Sequence, residues 1–196
     1  VMAPFDYDMA QYLHKELMDQ GIHLHLSSMV TAITDKSVVA VKNGQTVEIP
    51  AEAVILSIGV RPETGLAVRA GLELGAANAI KVNHNYQTTD PDIYAVGDAV
   101  ETFSRLGRTY GSFAQAGPAQ RQARAAADHI CGQYHNNRGY IATSCLRVFH
   151  LNAAATGMNE KALKKAGIPY EVAYVLPSDK VSIMPDAHYM AFKLLF

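Results

Sequence analysis

Residues Thr88 to Asp98, reading Thr-Thr-Asp-Pro-Asp-Ile-Tyr-Ala-Val-Gly-Asp, constrain the fold of this chain more than any other stretch. Asp90-Pro91 is a turn signal, because the residue before a proline is pushed out of the helical region. Ile93 to Val96 is an apolar run of the length of one buried strand. Gly97-Asp98 follows at its carboxyl end, which is where open α/β sheets place their ligands. A glycine there lets the backbone approach a ligand closely, and the carboxylate beside it can accept hydrogen bonds from sugar hydroxyls. An ordinary Gly-Asp turn closing a strand is the alternative reading of the same residues.

Taken in order, the chain alternates helix and strand signals. Asp6 or Asp8 can cap a helix from about Met9 to Asp19, with Met9, Tyr12, Leu13 and Leu17 on one face and Gly21 as its stop. Ile22 to Leu26 alternates as a strand with one wet face, and His23 and His25 fall on that side. Two imidazoles could ligate a metal, but no Asp, Glu or Cys nearby completes a set, so they are expected to face solvent. Met29–Thr34 and Ser37–Lys42 read as strands, and Asn43-Gly44 predicts a type I′ hairpin returning along Gln45–Ile49. Ala53–Ile58 is a continuous apolar run, as in a parallel strand covered on both faces, and Gly59 ends it.

Thr64–Ala70 predicts a short helix stopped by Gly71, and Ala79–Val82 a strand. Glu101–Gly111 loses periodicity and predicts a surface loop. Pro118 suits a first helical position, and Ala119, Ala123, Ala126, Ala127 and Ile130 give that helix a small-residue packing face. Gly132–Gly139 is a polar linker. Beyond it Cys145–His150 and Ala153–Thr156 read as strands, Asn159 caps a helix to Ala166 and Gly167 ends it, and Tyr170–Leu176 and Tyr189–Phe196 are apolar strands. Lys161, Lys164 and Lys165 read as a solvated face, with phosphate binding the alternative.

Composition excludes several classes. With 49% apolar and 18% charged residues among 196, the chain can build a core. A net charge of −1 without a basic block argues against nucleic acid as a partner. No apolar run approaches the ~20 residues that span a bilayer, so no membrane is expected. Cys131 and Cys145 do not form a CxxC or metal-knuckle pair, and two buried, non-catalytic thiols in a reducing cytoplasm are expected.

Four ordered segments carry a resemblance: Ile58-Gly59-Val60-Arg61-Pro62, the strand ending in Gly97-Asp98, Ala116-Gly117-Pro118-Ala119-Gln120-Arg121-Gln122, and Thr156-Gly157-Met158-Asn159-Glu160-Lys161. Together they resemble the pyridine nucleotide-disulfide oxidoreductase family, in its NADH oxidase, NADH peroxidase and CoA-disulfide reductase branch. The resemblance implies an α/β fold in three parts. Residues 1–60 would end a Rossmann-like NAD(P)-binding domain, 61–137 would form the C-terminal half of an FAD-binding domain, and 138–196 would start an α+β dimerisation domain.

It implies FAD and NAD(P)H as cofactors. Gly97, Asp98 and Ala99 would lie on the ribityl-pyrophosphate side of FAD. Ala114, Gln115 and Ala116 would line the flavin ring at a helix N-terminus, and Gly59 would lie near the nicotinamide nucleotide. The parent enzyme would pass hydride from NAD(P)H through flavin to oxygen, peroxide or a low-molecular-weight disulfide, as a cytoplasmic homodimer. Ile183-Met184 before Pro185 replaces the tyrosine pair of the CoA-disulfide reductases, which favours the oxidase and peroxidase pattern.

No GxGxxG occurs, and no cysteine stands where the family's redox cysteine comes, so no catalytic residue is expected in this chain. The expectation is a piece of a longer enzyme, inactive alone, with the redox cysteine in the preceding part and the end of the dimerisation domain also outside it. The alternative is a non-catalytic interaction module that keeps the fold and dimer surface but binds no cofactor.

Overall fold

The structure is a computed structural model that describes residues 2–196. Its elements mix helix and strand, and the chain divides into two compact units. One holds residues 1–59, 145–153 and 171–196; the other holds 60–144 and 154–170. Among the described residues no helix is long and apolar enough to cross a membrane.

The first unit opens on helix α1, Tyr7–Asp19, which buries Ala10, Leu13 and His14, so of the stripe expected through Met9, Tyr12, Leu13 and Leu17 only Leu13 is buried. Asp6 occupies the N-cap position but makes no side-chain cap bond. Its carboxylate accepts instead from Lys193 Nζ at 3.2 Å, a stronger, charge-assisted partner. At the other end Gly21, at φ +80°, closes the helix: its N–H donates to Met18 and that of Ile22 to Leu17. Ile22–Leu26 forms no strand, and His23 and His25 are exposed.

Strands β1 (Ser28–Ile33), β2 (Ser37–Lys42) and β3 (Gln45–Pro50) form an antiparallel sheet in that order, with a bulge between Val30 and Ala32. Asn43 and Gly44 both take positive φ between the Lys42–Gln45 pair, as a type I′ turn requires. Ala53–Ile58 is not a strand. An apolar run joins a sheet only when a neighbour pairs with its backbone, and among the described residues this one has none; Ile55 is 92% exposed.

The second unit begins with α2, Gly65–Arg69, closed by Gly71. Ala79–Val82 and Ile93–Val96 form isolated bridges, not the strands expected: Ile80 pairs with Val100, and Tyr94 with Gln87. The segment expected as a loop is a hairpin, β4 (Glu101–Ser104) against β5 (Thr109–Ser112), with Glu101 and Thr102 buried. Alternation is lost in its sequence because β4 begins with two buried polar residues.

Helix α3, Ala116–Ile130, starts two residues before Pro118, which still lies in the first turn where a missing N–H costs nothing. Its buried face is Pro118, Gln122, Ala125 and Ala126, so of the face expected through Ala119, Ala123, Ala126, Ala127 and Ile130 only Ala126 is buried. Tyr86, Ala125 and Ala126 form a core cluster, with Val82 and Tyr94 packed against it.

Beyond residue 142, β6 (Thr143–Val148) pairs with β7 (Leu151–Thr156). Helix α4, Glu160–Ala166, is capped by Asn159 Oδ1 accepting from Ala162 N at 2.9 Å and closed by Gly167 at φ +65°. In the first unit β8 (Val172–Val175) and β9 (Phe192–Leu195) pair antiparallel, shorter than the apolar runs that contain them. Cys131 and Cys145 are free thiols and exposed, not buried as their apolar character suggests.

Candidate functional site

The site is built on the turn after Ile93–Val96. Upstream, Asp90 Oδ1 accepts from Asp92 N at 2.9 Å, and Thr88 N donates to Ile93 O, so the Asp-Pro turn folds the segment back on itself. Ala95 N then donates to Tyr86 O. Gly97 follows at φ +95°, a conformation that glycine alone adopts without strain, and a Cβ built there meets no atom within 4 Å. Asp98 is exposed and Ala99 half-buried. The chain then re-enters the core at Val100, through Ala99 O accepting from Ile80 N and Ile80 O from Glu101 N.

One buried side chain ties this turn to α3. Gln122, 1% exposed, accepts the Gly97 N–H on Oε1 at 2.6 Å and donates from Nε2 to Thr102 Oγ1 at 3.4 Å. It stands nearly two turns into α3, beyond the helix start formed by Ala114, Gln115 and Ala116. Gln115 is the N-cap residue and makes no side-chain cap bond, so the first N–H groups are left to the surroundings. Ala114 and Gln115 are half-buried and Ala116 is exposed.

The first turn is also held from behind. Tyr140 Oη donates to Pro118 O at 3.3 Å and lies 3.1 Å from Tyr86 Oη, which accepts from Asn137 Nδ2 at 2.9 Å. Burial, together with the Tyr140 hydroxyl, holds the Tyr86 phenol above its ordinary range, so it stays neutral and serves as a hydrogen-bonding post.

Six of the seven sequence-derived positions, Gly97, Asp98, Ala99, Ala114, Gln115 and Ala116, therefore share one unit. Gly59 belongs to the other, at φ +98° with open space where a Cβ would stand. The residues that sequence reasoning missed are Gln122, Tyr86, Asn137 and Tyr140. Gln122 had a signal: it stands four residues after Pro118 and three and four before Ala125 and Ala126, a polar residue in the buried phase of an alanine-rich helix.

A cavity of about 120 Å³ lies elsewhere in this unit, along the β4–β5 hairpin between Phe103, Tyr110, Phe113 and Tyr140. Neither the Gly97 turn nor the start of α3 lines it. Chemically the Gly97 site has no nucleophile and no acid–base pair. It offers an open backbone and a solvent-facing carboxylate, bonded through Gln122 to the flank of a 15-residue helix, and such a carboxylate suits the hydroxyl groups of a ligand.

The family profile described as pyridine nucleotide-disulphide oxidoreductase matches residues 1–123. The chain belongs to that family. It is 30% identical to an NADH oxidase of Mycoplasma pneumoniae, across 98% of this chain and 41% of that protein. Among solved structures, reduced Bacillus anthracis CoADR-RHD superposes with a TM-score of 0.93 at 40% identity, covering 100% of this chain and 35% of the other. A NAD-dependent persulfide reductase from A. fulgidus gives 0.93 at 31% identity, over 98% and 36% of the two chains. The α/β fold is thus that of the family, and the chain spans well under half the length of these relatives.

Proposed function

We propose that this chain is part of an FAD-dependent NAD(P)H oxidoreductase that passes hydride through flavin to oxygen, peroxide or a low-molecular-weight disulfide. The carrying observation is the open Gly97 turn beside exposed Asp98, hydrogen-bonded to the flank of α3 through Gln122. These residues fit FAD. The left-handed, unobstructed backbone at Gly97 admits a ligand, and Gly97, Asp98 and Ala99 would hold its ribityl-pyrophosphate side. Asp98 would accept hydrogen bonds from its hydroxyls, and the backbone of Ala114, Gln115 and Ala116 would line its ring. Bound there, the flavin supplies the hydride-carrying chemistry. What the chain supplies is position, and the positive end of α3, which lowers the cost of negative charge in the ring.

In this reading residues 1–60 close an NAD(P)-binding domain, with Gly59 near the nicotinamide nucleotide. Residues 61–137 complete an FAD-binding domain, and 138–196 open a dimerisation domain for a homodimer. Cytoplasmic residence accords with two cysteines left as free thiols. The names of the similar proteins support the redox class: NADH oxidase for the Mycoplasma protein and persulfide reductase for the A. fulgidus one. An anaerobic NADH titration of the full-length protein, followed in the visible, tests the proposal. Bleaching of a flavin band is the expected result, and a protein with Asp98 intact that shows no flavin absorption overturns it.

A further inference from the structure

We propose that Gln122 is a positioning residue for the cofactor site, holding the Gly97-Asp98 turn in its binding shape by accepting the Gly97 N–H. The inference rests on the FAD reading above. It goes beyond it in assigning the shape of the site to a side chain on α3 that faces the core.

Gly97 sits at φ +95°, and a glycine has more conformations to lose than any other residue, so something must hold it there. The turn's own backbone does so weakly: Val100 N lies 3.4 Å from Gly97 O, at the long limit of a hydrogen bond. Gln122 Oε1, at 2.6 Å from Gly97 N, is the short contact. The side chain has no freedom to turn away, being 1% exposed and engaged at its other end by Thr102 Oγ1. Its polarity is also set: the oxygen must face Gly97, because the backbone N–H there can only donate. The consequence reaches Asp98. Its backbone follows the Gly97 N–H by one residue, so the direction of the Asp98 carboxylate depends on the turn that Gln122 secures.

Two substitutions separate acceptance from filling space. Gln122→Met keeps the length of the side chain and loses the acceptor. Gln122→Glu keeps an oxygen that accepts from Gly97 N whether the carboxyl is ionised or not. Asn159→Ala is a stability control in the same unit, remote in sequence from the turn and costing one helix cap. Two quantities are read: amide hydrogen exchange at Gly97 in the chain itself, and the dissociation constant for FAD in the full-length apoprotein.

Gln122→Met is expected to speed Gly97 exchange and to weaken FAD binding, each by about tenfold, the scale of one buried neutral hydrogen bond. Gln122→Glu is expected to restore both, and Asn159→Ala to leave both unchanged. Full FAD affinity in Gln122→Met overturns the inference, as does an equal loss of affinity in Asn159→Ala. A wild-type protein that binds no FAD overturns the functional reading itself. A Gly97 amide that exchanges no faster in Gln122→Met shows that the hydrogen bond does not hold the turn, whatever FAD does.

Discussion

Two glycines at positive φ have opposite surroundings, and they separate a binding role from a packing role. At Gly97 an added methyl meets nothing within 4 Å; at Gly139, φ +73°, it would stand 2.7 Å from Phe103 O. Gly97→Ala therefore costs only backbone strain, about 1 kcal/mol, while placing a methyl where the proposed cofactor approaches. Gly139→Ala adds to the same strain a clash with backbone that is itself bonded, since Tyr140 N donates to Phe103 O at 3.0 Å. Thermal unfolding should show Gly139→Ala as the more destabilised, by at least about 1 kcal/mol beyond Gly97→Ala. The order should invert for FAD affinity in the full-length protein. Equal unfolding midpoints would contradict the packing account of Gly139.

At the scale of elements, caps and cross-chain ion pairs decide which ends hold. Asn159→Ala leaves Ala162 N without its acceptor and should cost α4 about 1 kcal/mol, read as a lowered denaturant midpoint. In the first unit α1 is joined to the β8–β9 pair through Lys193, whose Nζ lies 2.8 Å from Asp8 Oδ2, while the Tyr174 hydroxyl donates to the same carboxylate. Burial alone would raise the Asp8 pKa. The hydrogen bonds from Lys193, Tyr174 and Met9 N outweigh it and bring the carboxyl down from 3.8 to about 2.

A carboxyl whose folded pKa is depressed contributes stability that is present above its unfolded value and lost as pH falls through the folded one. The contribution of Asp8 should therefore be complete above about pH 4 and fade toward pH 2. Urea midpoints measured from pH 5 to pH 2 should fall across that window, and less steeply in Asp8→Asn. Parallel slopes for the two proteins would remove Asp8 from the account.

For the molecule as a whole, the apolar surface is the outstanding quantity. Ile55, Ile58, Ile183 and Tyr189 are each at least 85% exposed, and all but Ile183 lie in or beside runs that sequence alone reads as strands. Exposed apolar side chains of this kind drive association where they gather into a patch. Light scattering at high micromolar concentration should show the chain self-associated; a clean monomer would remove the physical basis for the proposed homodimer. Weak or absent FAD binding by the isolated chain is expected as well, because no GxGxxG loop is present to hold the pyrophosphate. Isothermal titration of FAD checks it, and micromolar or tighter binding would show that the Gly97 turn and α3 suffice.

What the sequence determined by itself is whatever its own neighbours can satisfy. Asn43-Gly44 makes its hairpin because two adjacent residues accept positive φ, and Asn159 caps α4 because its acceptor and donor are three residues apart. Gly21, Gly71 and Gly167 stop helices for the same local reason, and the Gly97-Asp98 turn was legible because a proline turn and an apolar run frame it. Only the tertiary structure decided the rest. Whether Ala53–Ile58 or Ile93–Val96 becomes a strand depends on a backbone partner that neither segment contains, and the phase of α3 depended on what lay beneath it. Asp6 turned from its own helix to Lys193, 187 residues away, and Gly97 found its acceptor 25 residues on, in Gln122. A buried donor takes the partner that folding brings to it, and no periodicity in the sequence says which one that will be.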